Sequence, residues 1–146
     1  MIINKPYIAL HDGFVSSVEL KDDHIIFFFE KQNGFWVKER ETYYRAVNSS
    51  VSIKLKEEDS YKFVRKKIYP ILKTWIYSRY DEITIDELNR IIKIENEGFQ
   101  MINDLYNLDS LFFISHLGIH SMCYTYIEGT EIKYNWEDLD YSNKMY

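Results

Sequence analysis

The chain has 146 residues, of which 46% are hydrophobic and 17% aromatic, enough apolar material for one core and a single domain over residues 1–146. Its five glycines and two prolines are too few for a long disordered linker. The net charge of −5 is uneven: residues 1–79 hold 14 Lys/Arg and 10 Asp/Glu, whereas residues 80–146 hold 4 and 13. Such asymmetry bears on the charge of a binding partner rather than on the fold.

The beginning of the sequence and its apolar runs give no sign of a signal peptide or a membrane helix. MIINKPYIAL lacks the apolar core of a signal peptide, and HIIFFF and LFFI are much shorter than the roughly 20 residues that a membrane helix needs. The single cysteine, Cys123, cannot form an internal disulfide and lies in an alternating run, which predicts a buried, reduced thiol. We therefore expect a cytoplasmic protein without membrane contacts.

The first half of the chain has the pattern of antiparallel strands. FVSSVEL (14–20) alternates with period two, KDD provides a turn, and the apolar run HIIFFF (24–29) predicts a second strand covered on both faces. Asn33-Gly34 predicts a turn into a third strand, GFWVKERETYY, and VSIKLK (51–56) predicts a fourth.

Proline and capping signals organise the middle of the chain. Pro70 would break a helix over 61–79, so two short extended pieces are expected, at 61–68 and 71–77. Thr84-Ile85-Asp86-Glu87 is a capping box, and the apolar residues that follow recur at i, i+3 and i+4. This pattern predicts a helix over 85–95.

The remaining residues alternate again. FQMINDLY (99–106), SLFFISHL (110–117) and HSMCYTYI (120–127) predict strands, and Glu128-Gly129 predicts a turn into the strand TEIKYNW (130–136), before an acidic, frayed tail. The predicted fold class is therefore α+β: a mainly antiparallel β-sheet, built of two meanders, with one central α-helix.

His11-Asp12 and two further histidines suggest a metal site. An HD pair is typical of metal-dependent phosphohydrolases, but here Asp12-Gly13 also suits a turn before a hairpin, which favours a structural role. His116 and His120 would share a metal ion on a helix, whereas a strand separates them by about 13 Å. A small metal-dependent hydrolase that uses His11, Asp12, His116 and His120 is one alternative function, although we expect no bound metal or cofactor.

Lysine and arginine alternate with aromatic residues in a second candidate site. Basic residues among aromatics favour single-stranded nucleic acid, and the run comprises Lys62, Arg65, Lys66 and Lys67. The net acidic charge argues against nucleic acid, so this is a second alternative. The sequence contains no G-x-S-x-G, P-loop, G-x-G-x-x-G or H-E-x-x-H motif, and a lone Cys123 is a weak candidate nucleophile.

The C-terminal part combines carboxylates with aromatic side chains. Carboxylates speed encounter with a basic partner, while Tyr and Trp supply anchoring area at small entropic cost. The candidate partner-binding residues are Glu128, Glu131, Tyr134, Trp136, Glu137 and Asp138.

The order of these motifs resembles that of small bacterial immunity proteins of polymorphic toxin systems. The resemblance consists of His11-Asp12-Gly13-Phe14-Val15 at a hairpin entry, the helix start TIDEL at 84–88, and Tyr134-Asn135-Trp136 near the closing strand. It implies a protein that binds and blocks a toxin. With no catalytic signature, we expect a non-enzymatic binding protein that covers the active site of a basic toxin domain.

Overall fold

The computed structural model describes residues 7–72, 75–94, 98–107, 109–118 and 121–145. These residues form twelve strands and one helix. The elements are β1 Ile8–Ala9, β2 Phe14–Lys21, β3 His24–Phe29, β4 Trp36–Glu39, β5 Thr42–Val47, β6 Ser50–Leu55, β7 Tyr61–Leu72, β8 Trp75–Ile83, α1 Ile85–Ile94, β9 Phe99–Tyr106, β10 Ser110–Leu117, β11 Ser121–Asn135 and β12 Asp138–Met145. The predicted α+β class is wrong. A helix does begin at Ile85, but it is one short element on a mostly β chain whose strands form two antiparallel sheets.

Six strands of the larger sheet pair in a closed ring. The order is β9, β2, β3, β6, β11 and β10, and β10 pairs back with β9. Among the described pairings of the ring, the β2–β9 seam is the shortest, with Phe14↔Gln100 and Val15↔Phe99 in register. Alternating side chains of β3, β6, β10 and β11 are buried inside the ring, and the Phe27 ring lies 5.7 Å from Phe113 and 6.3 Å from Phe63. β3 alternates buried and half-buried residues, so the expectation that both of its faces are covered is wrong.

β11 is one continuous strand of 15 residues. The turn predicted at Glu128-Gly129 is absent, and a register shift between Gly129 and Glu131 takes its place. This bulge lets the long strand bend without ending, because the extra residue is accommodated between two runs of regular pairing.

The sheet forks along one edge of β11. β7 pairs with residues 121–127 of β11 and β6 with residues 129–135. The linker between β6 and β7 follows the same edge, because the Glu128 amide donates to the Ser60 carbonyl (2.8 Å) and the Glu128 carbonyl accepts from the Lys56 amide (3.1 Å). β6 continues into the ring, whereas β7 and β8 continue as a long hairpin.

The hairpin runs through Pro70, although the sequence predicted a break there. Within the described residues, β7 pairs with β11 as far as Lys67, and the described neighbour of Pro70 is β8 on one side. Proline lacks an N–H donor and is tolerated where a strand has a free edge.

The smaller sheet has the order β1-β4-β5-β12. The third strand predicted for the first meander is wrong, because GFWVKERETYY contributes to the β4–β5 hairpin of this second sheet, and β6 pairs with β3 instead. The tail, expected to be frayed, pairs with β5 as β12. Arg45 ties the two sheets together: it packs 4.0 Å from the Trp36 ring and donates to the carbonyls of Asp12 (2.8 Å) and Gly34 (3.0 Å).

The helix packs against β2 where the ring is weakest. The Thr84 hydroxyl accepts from the Glu87 amide (3.1 Å), as the capping box predicted. Beyond the short seam with β9, the amide and the carbonyl of Val18 point away from the neighbouring strand β3. The Asn89 side chain pairs with both groups: it accepts from the Val18 amide (2.8 Å) and donates to the Val18 carbonyl (2.7 Å). The helix thereby substitutes for a missing stretch of strand.

We predict that Asn89→Ala lowers the free energy of unfolding by about 1–3 kcal/mol, because it leaves two backbone groups of Val18 without their partners. Urea denaturation followed by circular dichroism measures the change. The control is Arg90→Ala, at the next, exposed position of the helix, which should cost no more than about 0.5 kcal/mol. Equal losses in the two variants would contradict the bridging role of Asn89.

Candidate binding groove

The fork between β6 and β7 opens an elongated groove at one end of the ring. Its floor is formed by Leu20 from β2, Tyr61 from β7, and Thr84 and Ile85 at the start of the helix. The central part of this groove has a volume of about 710 Å³. Leu20 is 42% exposed, an apolar side chain that the described residues leave open to solvent.

Carboxylates line the walls of the groove. All seven are exposed, and they are Glu19, Glu57, Glu58, Asp59, Glu82, Asp86 and Glu128. The one basic side chain in the described lining is Lys62, whose Nζ lies 3.7 Å from Glu82 Oε2. Seven carboxylates and one ammonium give a formal charge of −6, so the lining is more acidic than the whole chain at −5. Such a groove suits a cationic ligand with an apolar portion.

The six partner-binding residues predicted from the sequence do not form one surface. Glu128 lies in the groove. Tyr134 is only 8% exposed, its ring packs 5.8 Å from Phe35, and its hydroxyl lies 3.3 Å from that of Tyr106. Burial raises the pKa of Tyr134 to about 12. Tyr134 is thus a core residue, because the bulge in β11 reverses which residues of the strand point inward.

The other predicted residues lie further along β11 and at the start of β12. Glu131 is exposed beyond the bulge, with Oε1 3.7 Å from Lys133 Nζ. The Trp136 ring packs 6.0 Å from Phe35 and keeps 37% of its surface exposed. Glu137 accepts from the Asn48 side chain (2.5 Å), and Asp138 accepts from the Leu139 amide (2.8 Å). The Asn48–Glu137 hydrogen bond links the end of β5 to the start of β12 in the smaller sheet.

His11-Asp12 forms the turn that starts β2. Asp12 has a φ of 64°, and its amide donates to the Met101 carbonyl (2.8 Å), while the Met101 amide donates to the Gly13 carbonyl (2.8 Å). A Cβ on Gly13 would lie 2.6 Å from the Phe29 ring, so only glycine fits. The pair therefore extends the short seam between β2 and β9.

The described residues contain no group of three or more His, Cys, Asp or Glu side chains placed to hold a metal ion. His11 Nε2 lies 3.9 Å from Asp12 Oδ2. His116 is exposed on β10, opposite Met122, and His120 lies outside the described residues.

The basic run of β7 is divided between the two faces of the strand. Arg65 Nε donates to the Ser121 hydroxyl (3.3 Å), and Lys67 follows on the same face. Lys62 and Lys66 lie on the other face, where Lys66 Nζ is 5.5 Å from the centre of the Tyr80 ring. Strand alternation therefore prevents the four basic residues from forming one patch.

Most of the groove carboxylates were not predicted to bind a partner. They are Glu19, the Glu57–Asp59 turn, Glu82 and Asp86. Each acidic stretch reads as a solvated turn or strand end when it is considered alone. They meet only because β2, the β6–β7 linker, β8 and the helix start converge at the fork.

Comparison of the chain with protein-family models, with curated proteins and with solved structures finds no match. Among the described residues, no helix has the length and apolar character required to cross a membrane.

Cys123 is buried inside the ring, and we predict that it resists thiol reagents in the folded protein. Burial raises its pKa to about 12, although Thr125 and Arg65 oppose this effect, so the thiol stays protonated near neutral pH. Ellman's reagent at about pH 8 should label the unfolded chain at least about a hundredfold faster than the native chain. Equally fast labelling of the native protein would show that Cys123 is accessible and restore it as a candidate nucleophile.

Proposed function

We propose that the chain is a non-enzymatic binding protein whose acidic groove receives a basic segment of a protein partner. The observation that carries this proposal is the concentration of seven carboxylates around one lysine, beside the exposed side chain of Leu20. A basic side chain gains electrostatic energy along the walls, and an apolar side chain next to it can cover Leu20.

The setting of these carboxylates favours recognition over catalysis. All seven are exposed to solvent on turns, strands and the helix start. Fixed negative charges on strands steer a cationic partner and speed its encounter.

The resemblance to immunity proteins narrows the proposal to one kind of partner. A toxin that acts on nucleic acid needs a cationic surface for phosphates. Carboxylates presented on a rigid wall can occupy that surface in place of the substrate, so the chain would neutralise such a toxin domain by occlusion. This action would take place in the cytoplasm, where the toxin's substrate lies.

The test is isothermal titration of the purified chain with the purified product of the neighbouring reading frame. We expect a 1:1 complex that weakens as salt is raised. Replacing two groove carboxylates, in the double variant Glu58→Gln/Asp59→Asn, should lower the affinity about five- to tenfold, mainly through slower association.

The matched control is the double variant Glu39→Gln/Glu41→Gln. It removes the same charge from another exposed connection between strands, the β4–β5 hairpin, and should change the affinity less than twofold. Equal losses in the two double variants would mean that net charge alone drives binding and would contradict a role for the groove. Failure of the wild-type chain to bind this neighbour would contradict the toxin-neutralising function.

A further inference from the structure

One edge of β2 is paired along only part of its length. At the start of the strand, β9 pairs with Phe14 and Val15. Further along, the Asn89 side chain takes the place of a strand by bonding to the amide and the carbonyl of Val18. In the described part of the chain, no strand pairs with the last residues of this edge, which lead into the turn before β3.

The backbone of Leu20 presents a donor and an acceptor on this edge. In an antiparallel pair, alternate residues direct their amide and carbonyl toward the partner strand, and the residues between them direct these groups away from it. Val18 directs both groups away from β3, since both bond to Asn89. Leu20 is two residues further along the same regular pairing with β3, so its amide and carbonyl point the same way. None of the described residues donates to them or accepts from them on this edge.

A cavity of about 470 Å³ lies along this edge and leaves it open to a ligand. β2 contributes Val18, Glu19 and Leu20 to its lining, and the start of the helix contributes Ile85 and Asp86. The carboxylates of Glu19 and Asp86 are exposed, as is the Leu20 side chain. Free backbone groups, an apolar side chain and two carboxylates therefore share one opening.

We propose that the partner's basic segment binds in an extended conformation and adds a short antiparallel strand to this edge of β2. The strands already paired with β2, which are β3 and β9, are both antiparallel to it. The segment residue opposite Leu20 exchanges two backbone hydrogen bonds with it, and an apolar side chain at that position covers the Leu20 side chain. Basic side chains on the neighbouring residues reach the carboxylates of Glu19 and Asp86. This inference rests on the function proposed for the groove and specifies its ligand as a segment in which basic and apolar residues alternate.

The free backbone groups favour an extended segment over a helix. Both kinds of segment can carry basic and apolar side chains into an acidic groove. A helix satisfies its own amides and carbonyls internally, so it would leave those of Leu20 without partners. An extended segment offers a carbonyl and an amide together, as the Asn89 side chain does for Val18.

Amide hydrogen exchange of the isotope-labelled chain, followed by NMR, tests this inference. The probe is a synthetic heptapeptide of alternating lysine and valine that begins and ends with lysine and has blocked termini. Saturation with the peptide should slow exchange of the Leu20 amide at least about tenfold. The Val18 amide, already bonded to Asn89, is the internal control and should change less than about twofold. Slow exchange of Leu20 in the free chain would show that the edge is already covered and would overturn the inference.

Two methylated versions of the peptide separate backbone pairing from charge. Methyl groups on the valine amides remove the N–H donors that face β2 and should weaken binding at least about tenfold. Methyl groups on the same number of lysine amides leave those donors in place and should weaken binding less than about twofold. The three peptides carry the same charge, so equal affinities would overturn strand addition and leave the acidic groove as the binding site.

The same exchange measurement on the complex with the product of the neighbouring reading frame separates this inference from the proposed function. Slow exchange of the Leu20 amide in that complex supports strand addition. A complex that forms while Leu20 still exchanges rapidly would overturn strand addition and leave the proposed function standing. A chain that binds neither the peptide nor this product would contradict both.

Discussion

β11 is hydrogen-bonded to β10 along one edge and to β7 and then β6 along the other, and the rest of the molecule depends on this arrangement. Because of its bulge between Gly129 and Glu131, this single strand pairs with β7 before the bulge and with β6 after it. β6 leads into the closed ring that encloses the core, while β7 and β8 diverge from it. The acidic groove lies in the resulting gap.

The closed ring has one weak seam, and several unusual residues are found beside it. In the part of the chain that the structure describes, two residue pairs link β2 to β9. The Asp12–Gly13 turn adds two backbone hydrogen bonds to Met101, and Asn89 of the helix pairs with Val18 in the manner of a strand. His11-Asp12, which looked like a metal-binding pair in the sequence, is therefore explained by the way the chain enters β2. Arg45 of β5 then links this turn to the smaller sheet by donating a hydrogen bond to the Asp12 carbonyl.

Local patterns predicted many of the strands but not how the strands are arranged. The expected strands at 24–29, 99–106 and 110–117 coincide with β3, β9 and β10. Each was recognisable because its own residues have a strand-like pattern. Glu128-Gly129 has the composition of a turn, yet pairing with the β6–β7 linker and with Asp109 keeps it extended. GFWVKERETYY also departs from its predicted place in the first meander. It pairs instead with segments that are distant in the sequence, Ile8–Ala9 and β12.

The candidate site was still less predictable from the sequence. Of the six residues expected to bind a partner, Glu128 lies in the groove, and Tyr134 is in the core because the bulge shifts the alternation that the sequence seemed to continue. The acidic surface was expected in the C-terminal part, whereas Glu19 and the Glu57–Asp59 turn of the groove lie before residue 80. Its location required the convergence of β2, β8, the β6–β7 linker and the helix start, which no single segment encodes.

The continuity of β11 is the claim on which the groove rests, and nuclear Overhauser contacts in solution test it most directly. An unbroken strand predicts cross-strand contacts between Tyr124 and Val64 and also between Ile132 and Ile53. A hairpin at Glu128-Gly129 would instead place Tyr126 opposite Glu131 and give contacts between them. Observation of this second set without the first would contradict the fork in the sheet and remove the basis of the groove.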